Sequence, residues 1–177
     1  MNYDILMAGF GGQGILFAGK FLVYCGLYNG SEVSWLPSYG PEMRGGTCNC
    51  SVCISDEPIG SPLVVNPNVL IVMNTPSLEK FIGKVQPGGL VIVDSSMIDE
   101  KVERSDVKVC YVPATEISGK DPDLKGGANI ILAGKLLAET HLADEKTVKK
   151  SLEHITPPRK AHLLGNNLKA LQIGMQS

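Results

Sequence analysis

Short runs of apolar residues alternate along the chain with longer stretches in which apolar positions recur every three or four residues. Continuous apolar runs are typical of buried β-strands, and the longer repeat is typical of helices packed against a sheet. Strands are predicted over residues 3–9, 33–36, 47–54, 69–74, 90–94 and 107–112. Stretches rich in turn formers predict a loop over residues 38–46 and an irregular connection over residues 56–68.

The helical repeats fall between and after these strands. The first predicted helix is opened by residues 11–14, and a second follows the capping residue Thr75 and ends before the glycines of residues 87–89. Three more helices are predicted around residues 130–137, from Asp144 to the prolines at 157–158, and over 163–171. Strands that alternate with helices predict an α/β fold: a single Rossmann-like domain over residues 1–177, with a largely parallel sheet flanked by helices and with C-terminal helices.

A glycine-rich turn lies between the first predicted strand and the first predicted helix. In this context glycines permit a tight turn and let a phosphate approach the backbone, and the helix N-terminus favours negative charge. The residues predicted to accept a phosphate are Gly9, Gly11, Gly12, Gln13 and Gly14. The alternative is that the glycines only allow the helix and the strand to pack closely.

A nicotinamide dinucleotide site is less well supported than a phosphate site. Such a site places an acidic residue at the end of the second strand, where it binds the ribose hydroxyls. Here that strand ends in the sequence Ser34–Pro37, and the nearby carboxylate of Glu32 stands at its start. The sequence therefore keeps the phosphate-binding turn and weakens the dinucleotide interpretation.

The loop at residues 38–46 holds the second group of candidates. Arg44 is the only basic residue between Lys20 and Lys80, which makes it a candidate clamp for a phosphate or a carboxylate. The alternatives are a salt bridge to Glu42 and a contact across a subunit boundary. The candidate binding residues of the loop are Tyr39, Glu42, Arg44, Gly45 and Gly46.

Composition and charge exclude several classes of partner. Apolar residues make up 44% of the chain and charged residues 19%, and the formal net charge is −2. Bulk charge therefore favours neither a nucleic acid nor an anionic membrane, and no apolar run reaches the roughly 20 residues of a membrane span. The first residues carry no basic leader, and the five cysteines are an odd number. We therefore expect reduced thiols and a cytoplasmic location.

Three cysteines lie close together, yet a metal site is not predicted. Cys48 and Cys50 share one face of the predicted strand and Cys53 lies on the other, so the three thiols cannot converge on one ion. All three histidines fall in the C-terminal third, away from the glycine turn in sequence, and no nucleophile motif is present. We predict a binding site with no catalytic residue and no metal ligand of its own.

Two segments resemble a known family when they are taken together. The runs GFGGQGILFAGKFL and SYGPEMRGGTCNCSVCISDEPIGSP, with the later segments VLIVMNTPSLEKF and ANIILAGKLL, are similar to the gamma subunit of 2-oxoacid:ferredoxin oxidoreductases. The similarity is strongest to the 2-oxoglutarate and 2-oxoisovalerate types and covers essentially the whole chain. Cys48 stands where an alanine would be expected, a small-for-small change on a strand.

The resemblance implies a role in the oxidative decarboxylation of a 2-oxoacid to an acyl-CoA. It implies that this chain helps to bind coenzyme A and completes the assembly, while thiamine diphosphate and iron–sulfur clusters belong to partner alpha and beta subunits, with delta as a further candidate partner, and ferredoxin accepts the electrons. Asn74 and Asp94, which end predicted strands, become weaker candidates for the same crevice. A homodimer of the isolated chain, a free-standing nucleotide-dependent oxidoreductase and a purely structural scaffold remain alternatives.

Overall fold

The computed structural model describes residues 2–38 and 47–177. The strands are β1 (Asn2–Phe10), β2 (Glu32–Ser38), β3 (Thr47–Ser55), β4 (Val69–Val72), β5 (Leu90–Asp94) and β6 (Lys108–Val112). The α-helices are α1 (Ile15–Tyr28), α2 (Thr75–Phe81), α3 (Ala114–Lys120), α4 (Ala128–Thr140), α5 (Glu145–Ile155) and α6 (Leu164–Gln176). Short 3-10 helices cover Ile82–Lys84, Pro122–Leu124 and Pro158–Leu163.

The strands form one sheet in the order β2-β3-β1-β4-β5-β6. The pairs β1–β4, β4–β5 and β5–β6 are parallel, whereas β3 is antiparallel to both of its neighbours. Strand β3 therefore runs against the other five, and the prediction of a largely parallel sheet is confirmed. The five parallel strands end on the same side, which we call the carboxyl end of the sheet, and begin at the opposite amino end.

Helices cover both faces of the sheet, and alternate residues of each strand point to opposite faces. In β1, Ile5 and Met7 enter the larger core cluster with α1, α4 and α6, and Leu6 and Ala8 enter the smaller cluster with α2. Strand β1 lies between β3 and β4, and its residues 5–9 are buried. It therefore fixes the position of the turn that follows it.

The predicted elements agree with the structure in order and type, and residues 56–68 form neither helix nor strand, as expected. The short helix α3 was not predicted, because its sequence ATEISGK has no apolar stripe and buries only Ala114 and Ser118. Strand β4 ends two residues before its predicted end, since Asn74 instead caps helix α2. Across the described part of the chain, no helix is long and apolar enough to cross a membrane.

Candidate functional site

The predicted glycine turn joins β1 to α1 at the carboxyl end of the sheet. Its backbone is closed by a hydrogen bond from the Gln13 N–H to the Phe10 carbonyl oxygen at 3.2 Å. Gly12 and Gly14 adopt positive φ angles of 95° and 75°, which residues that carry a Cβ rarely adopt. Gly14 is the N-cap of α1, and no side chain caps this helix. The first N–H groups of α1 can therefore point toward an anion.

Gln13 holds the turn against the neighbouring strand. Its Nε2 donates to the Met73 carbonyl oxygen at 3.1 Å, and its Oε1 accepts from the Phe10 N–H at 2.6 Å. Gly9 leaves room for this side chain, because a Cβ at residue 9 would lie 2.5 Å from Oε1 of Gln13. The structure thus gives Gln13 a positioning role, and its predicted contact with a ligand stays a prediction.

A second anchor of the turn comes from α4 and was missed by sequence reasoning. Asn129 Nδ2 donates to the Gly14 carbonyl oxygen at 2.9 Å, although 115 residues separate the two. A Cβ at residue 14 would lie 2.4 Å from this nitrogen, so glycine is required here for space as well as for φ. Asn129 is only 4% exposed, and its Oδ1 has no hydrogen-bond partner. The one available signal was a lone amide within the otherwise apolar first two turns of the helix.

Asn74 lies next to the turn, since the Met73 carbonyl that Gln13 holds belongs to the preceding residue. Its Oδ1 accepts from the Ser77 N–H at 2.9 Å and so caps α2. Asn74 is buried, and its Nδ2 has no partner. One polar group of this predicted site residue therefore remains unused by the fold, and its role toward a ligand stays a prediction.

Asp94 ends β5 at the same end of the sheet, but its oxygens already have protein donors. Oδ2 accepts from the Thr115 hydroxyl at 2.5 Å, and Oδ1 accepts from the N–H groups of Ser96 and Thr115 at 3.2 and 3.3 Å. The side chain is fully buried. Asp94 therefore ties β5 to the start of α3, and its predicted ligand contact is untested.

The candidates of the second loop lie outside the described residues. They are Tyr39, Glu42, Arg44, Gly45 and Gly46. The strands that flank this segment are described: β2 ends at Ser38, and Thr47 at the start of β3 is paired with Phe10 of β1. Both flanks therefore lie at the carboxyl end of the sheet, where the glycine turn also lies.

The strand order bears on the dinucleotide interpretation. The strand that follows α1 is β2, which β3 separates from β1. Glu32, the first residue of β2, is paired with Ser55, and Ser55 is paired with Asn2, so the Glu32 backbone lies at the amino end. The carboxylate that a dinucleotide site needs beside the glycine turn is therefore not supplied by Glu32.

The cysteines of β3 are core residues. Cys48 and Cys50 enter the larger core cluster and Cys53 the smaller one, so the thiols lie on opposite faces as predicted. Burial raises the pKa of Cys50 to about 12 and that of Cys53 to about 11, which keeps both thiols neutral near pH 7. Among the residues that the structure describes, no group of three or more His, Cys, Asp or Glu could hold a metal ion.

Comparison with known proteins identifies the family to which this chain belongs. Residues 4–177 match the family described as "Pyruvate ferredoxin/flavodoxin oxidoreductase", and the chain belongs to this family. It is 39% identical over 172 residues to the ketoisovalerate oxidoreductase subunit VorA of Methanothermobacter marburgensis, covering 96% of this chain and 35% of that subunit. It is 35% identical to the 2-oxoglutarate synthase subunit KorC of Methanocaldococcus jannaschii, covering 89% of this chain and 85% of that subunit. The chain thus spans about a third of VorA and most of KorC.

Solved structures show the same fold. The gamma subunit of a keto/oxoacid ferredoxin oxidoreductase from Geobacter sulfurreducens matches with a TM-score of 0.85 and 25% identity over 99% of this chain and 95% of its own. A 2-oxoglutarate:ferredoxin oxidoreductase from Magnetococcus marinus, solved with 2-oxoglutarate, coenzyme A and succinyl-CoA bound, matches with a TM-score of 0.85 and 24% identity over 99% of this chain and 30% of its own. The resemblance to gamma subunits is confirmed.

Proposed function

We propose that this chain is the gamma subunit of a 2-oxoacid:ferredoxin oxidoreductase and that it binds coenzyme A at the carboxyl end of its sheet. The observation that carries the proposal is the glycine turn, which is held in place by the bond from its own Gln13 to Met73 and by the bond from Asn129 of α4 to Gly14. This turn ends on a helix that no side chain caps, in a chain that matches the family over residues 4–177. The family match supports the role of this chain as a subunit, and the glycine turn supports coenzyme A as its ligand.

Coenzyme A fits the donors and acceptors of this end of the sheet. Its pyrophosphate needs N–H donors and close approach to the backbone, which the uncapped start of α1 and the glycines of the turn offer. Its polar groups include N–H and O–H donors, which the free Oδ1 of Asn129 can accept. Arg44 of the second loop would add a charge-assisted contact to a phosphate. The same fold occurs in a 2-oxoglutarate:ferredoxin oxidoreductase that was solved with coenzyme A.

The chain binds and orients coenzyme A, whose thiol accepts the acyl group, and leaves electron transfer to its partners. We assign thiamine diphosphate and iron–sulfur clusters to alpha and beta subunits, with delta and ferredoxin as further partners. The thiols of β3 do not suit a cluster, because they lie on opposite faces of the sheet and burial raises their pKa. We place the chain in the cytoplasm, where reducing conditions keep thiols such as its five free cysteines unpaired.

Reconstitution of the complex tests the subunit role. The chain is purified with the products of its neighbouring genes, and viologen reduction is measured with coenzyme A and either 2-oxoglutarate or 2-oxoisovalerate. We expect activity to be lost when this chain is omitted and restored when it is added back. Unchanged activity without the chain would contradict the proposal, and oxidation of NADH by the chain alone would favour a free-standing oxidoreductase.

Titration of coenzyme A separates a binding subunit from a scaffold. We expect Arg44→Ala to weaken coenzyme A binding by about tenfold, since a charge-assisted contact to phosphate is lost, and Arg44→Lys to weaken it less. Lys149→Ala is the matched control, because Lys149 is an exposed cation on α5. Equal binding by all four proteins would remove Arg44 from the site. A reconstituted complex in which coenzyme A never contacts this chain would support the scaffold alternative.

A further inference from the structure

Strand β2 forms one edge of the sheet, and its outer side is paired with no other strand among the described residues. The backbone N–H and C=O groups of an edge strand are open to another strand, so proteins commonly protect such edges with charged residues, especially lysine. The single charge in the sequence EVSWLPS is Glu32, at the first position of the strand. Pro37, which lacks an N–H, is a residue that sheets tolerate at their edges. The centre of β2 therefore carries no charge that would discourage pairing.

Strand β6, at the opposite edge of the sheet, is shorter and better protected. It begins with Lys108, which pairs with Glu139 of α4. The chain before β6 also folds back onto the strand, because the Val102 N–H donates to the Tyr111 hydroxyl at 2.9 Å and Lys101 Nζ lies 4.1 Å from the centre of the Tyr111 ring. Of the two edges, β2 is thus the one that the described part of the chain leaves less protected.

Two glycines of α1 mark the side of the helix that faces β2. A Cβ at Gly19 would lie 3.2 Å from Nε1 of Trp35. A Cβ at Gly26 would lie 3.0 Å from Cγ1 of Val33. Helix α1 therefore lies along β2, and its middle is level with residues 33–35 of the strand.

The next row of positions round α1 lies beyond these glycines, on the side away from the buried residues of the helix. Helical geometry places residues that are four, seven and eleven positions apart in one such row. Leu16 and Val23 are half-buried, and Lys20 and Leu27 are exposed, Leu27 to 47%. Three apolar side chains and one cation therefore lie beside the open edge. We call this row of four residues, together with the outer edge of β2, the α1–β2 surface.

The α1–β2 surface can pair with itself. Two copies of β2 can run antiparallel about a two-fold axis near Trp35, the middle residue of the strand. The same axis passes the middle of α1, because the two glycines of this helix lie over Trp35 and Val33. The symmetry therefore also brings the two α1 rows together, with Leu16 of one copy toward Leu27 of the other.

The charges of the surface are complementary under this symmetry. Lys20 follows Gly19 in the half of α1 nearer the carboxyl end of the sheet, whereas Glu32 lies at the amino end. An axis that reverses the strand direction places Glu32 of one copy beside Ser38 of the other, on the side of that copy's Lys20. Neither Lys20 nor Glu32 forms an ion pair with a described residue of its own chain. Both charges are therefore available for two symmetric pairs across the axis.

We propose that the α1–β2 surface binds a second copy of this chain, through antiparallel pairing of the two β2 strands and packing of the two α1 rows. The two sheets then continue as one across the axis, and the contact closes as a dimer because both copies use the same surface. The inference goes beyond the proposed function and does not rest on it, since no candidate ligand residue belongs to this surface.

The test is the dissociation constant of the dimer of the full chain, measured by sedimentation equilibrium. We expect Lys20→Glu and Glu32→Lys each to weaken dimerisation by about tenfold, because each replaces two attractive pairs with two repulsions. The double variant that carries both changes should dimerise as the wild type does, since the pairs form again with reversed signs. Leu27→Glu should weaken dimerisation more strongly, because it places a charge in the apolar row of both copies.

Two matched controls lie outside the surface. Lys149→Glu reverses an exposed cation of α5, and Leu63→Glu replaces a leucine that is 57% exposed in the connection before β4. Both should dimerise as the wild type does. Thermal unfolding checks that each variant folds, and the charge reversals decide the question if Leu27→Glu does not fold.

Three outcomes would overturn the inference. A wild type that stays monomeric at every concentration excludes the dimer, and a dimer that Lys20→Glu and Leu27→Glu leave unchanged uses another surface. If the chain alone is monomeric and Leu27→Glu prevents its incorporation into the reconstituted complex, the surface binds a different subunit. Each of these outcomes leaves the proposed function standing, because that proposal is tested by reconstituted activity and by titration of coenzyme A.

Discussion

The two ends of the sheet differ in how their polar groups are used. At the amino end the Tyr3 hydroxyl donates to the Thr140 carbonyl oxygen at 3.0 Å, which ties β1 to the end of α4. Asn68 accepts from the Asp4 N–H and donates to the Asn2 carbonyl oxygen, both at 2.9 Å. These bonds link segments that are far apart in sequence, so polar groups of the protein itself occupy this end of the sheet.

At the carboxyl end, buried polar atoms are left without partners. Asn74 Nδ2, Ser77 Oγ and Asn129 Oδ1 are all in this state, and α1 and α4 begin there without a side-chain cap. One further unpartnered atom, Ser34 Oγ of β2, lies nearer the amino end, so unused donors and acceptors are concentrated at the carboxyl end. We infer that the amino end serves mainly the stability of the fold and that the carboxyl end serves mainly binding. Substitutions at the two ends should therefore have separable effects.

The largest effect is expected at Gly14. Gly14→Ala places a Cβ 2.4 Å from Asn129 Nδ2 in a backbone with φ of 75°, so we expect both a loss of stability and a loss of at least tenfold in coenzyme A affinity. Gly30→Ala is the matched control, because Gly30 has φ of 85° and nothing lies within 4 Å of its would-be Cβ. It should lower the melting temperature and leave binding unchanged. Equal binding losses in the two variants would show that the loss in Gly14→Ala reflects general backbone strain and not a contribution of the carboxyl end to binding.

Gln13 should show the next largest effect. Gln13→Ala removes the partners of the Met73 carbonyl and the Phe10 N–H, which should cost about 1–3 kcal/mol of unfolding free energy and loosen the turn. We expect coenzyme A binding to weaken severalfold in calorimetric titrations. Gln86→Ala removes a similar amide, which donates to the Asn66 carbonyl oxygen at 2.7 Å in the connection before β4, and should not change binding. A variant of Gln13 with wild-type affinity would contradict a positioning role.

Glu139 tests the amino end through its pH dependence. Hydrogen bonds from Lys108 and Lys135 lower the pKa of Glu139 from 4.5 to about 2. A pKa that is lower in the folded state stabilises the fold above the unfolded value, and this contribution is lost as the pH falls from about 4.5 toward about 2.

Glu139→Gln should therefore lower the melting temperature at pH 7 by about 2–4 °C, the change that about 1 kcal/mol produces in a chain of this size. The difference from wild type should shrink as the pH falls toward 2, and coenzyme A affinity at pH 7 should be unchanged. A difference that is constant from pH 7 to pH 2 would show that the ion pair does not stabilise the fold.

The smallest effect is expected in thiol reactivity. Cys48 is buried beside the turn, where it is paired with Gly9, and Cys110 lies in β6 next to Glu139. Burial raises the pKa of both thiols, so both should react slowly with an alkylating reagent at pH 8. Coenzyme A should slow the reaction of Cys48 severalfold and leave that of Cys110 unchanged, as mass spectrometry of the labelled peptides would show.

Local patterns were enough to predict most of the fold. The apolar run before the glycines predicts β1, and the apolar stripe from Ile15 to Val23 predicts α1, because both patterns lie within one element. The position of β3 between β1 and β2 was not predictable in this way, since pairing depends on residues far apart in sequence. The same holds for Asn129, whose contact with Gly14 spans 115 residues.

In the candidate site, too, the features that depend on local sequence were predictable and those that depend on long-range contacts were not. The turn was predicted from its glycines, and the structure shows it in the predicted position between β1 and α1. The roles of Gln13 and Asp94 were not predictable, because a side chain that could face a ligand can equally bond to a neighbouring strand or helix. Only the three-dimensional partners, Met73 for Gln13 and Thr115 for Asp94, distinguish the two cases.

Hydrogen–deuterium exchange with and without saturating coenzyme A shows which end of the sheet binds the ligand. We expect slower exchange of backbone amides in residues 10–17 and 124–131, at the carboxyl end of the sheet. Amides of residues 2–4 and 88–90, at the amino end, should exchange at the same rate in both samples. Unchanged exchange throughout the chain, or protection confined to the amino end, would contradict binding at the carboxyl end.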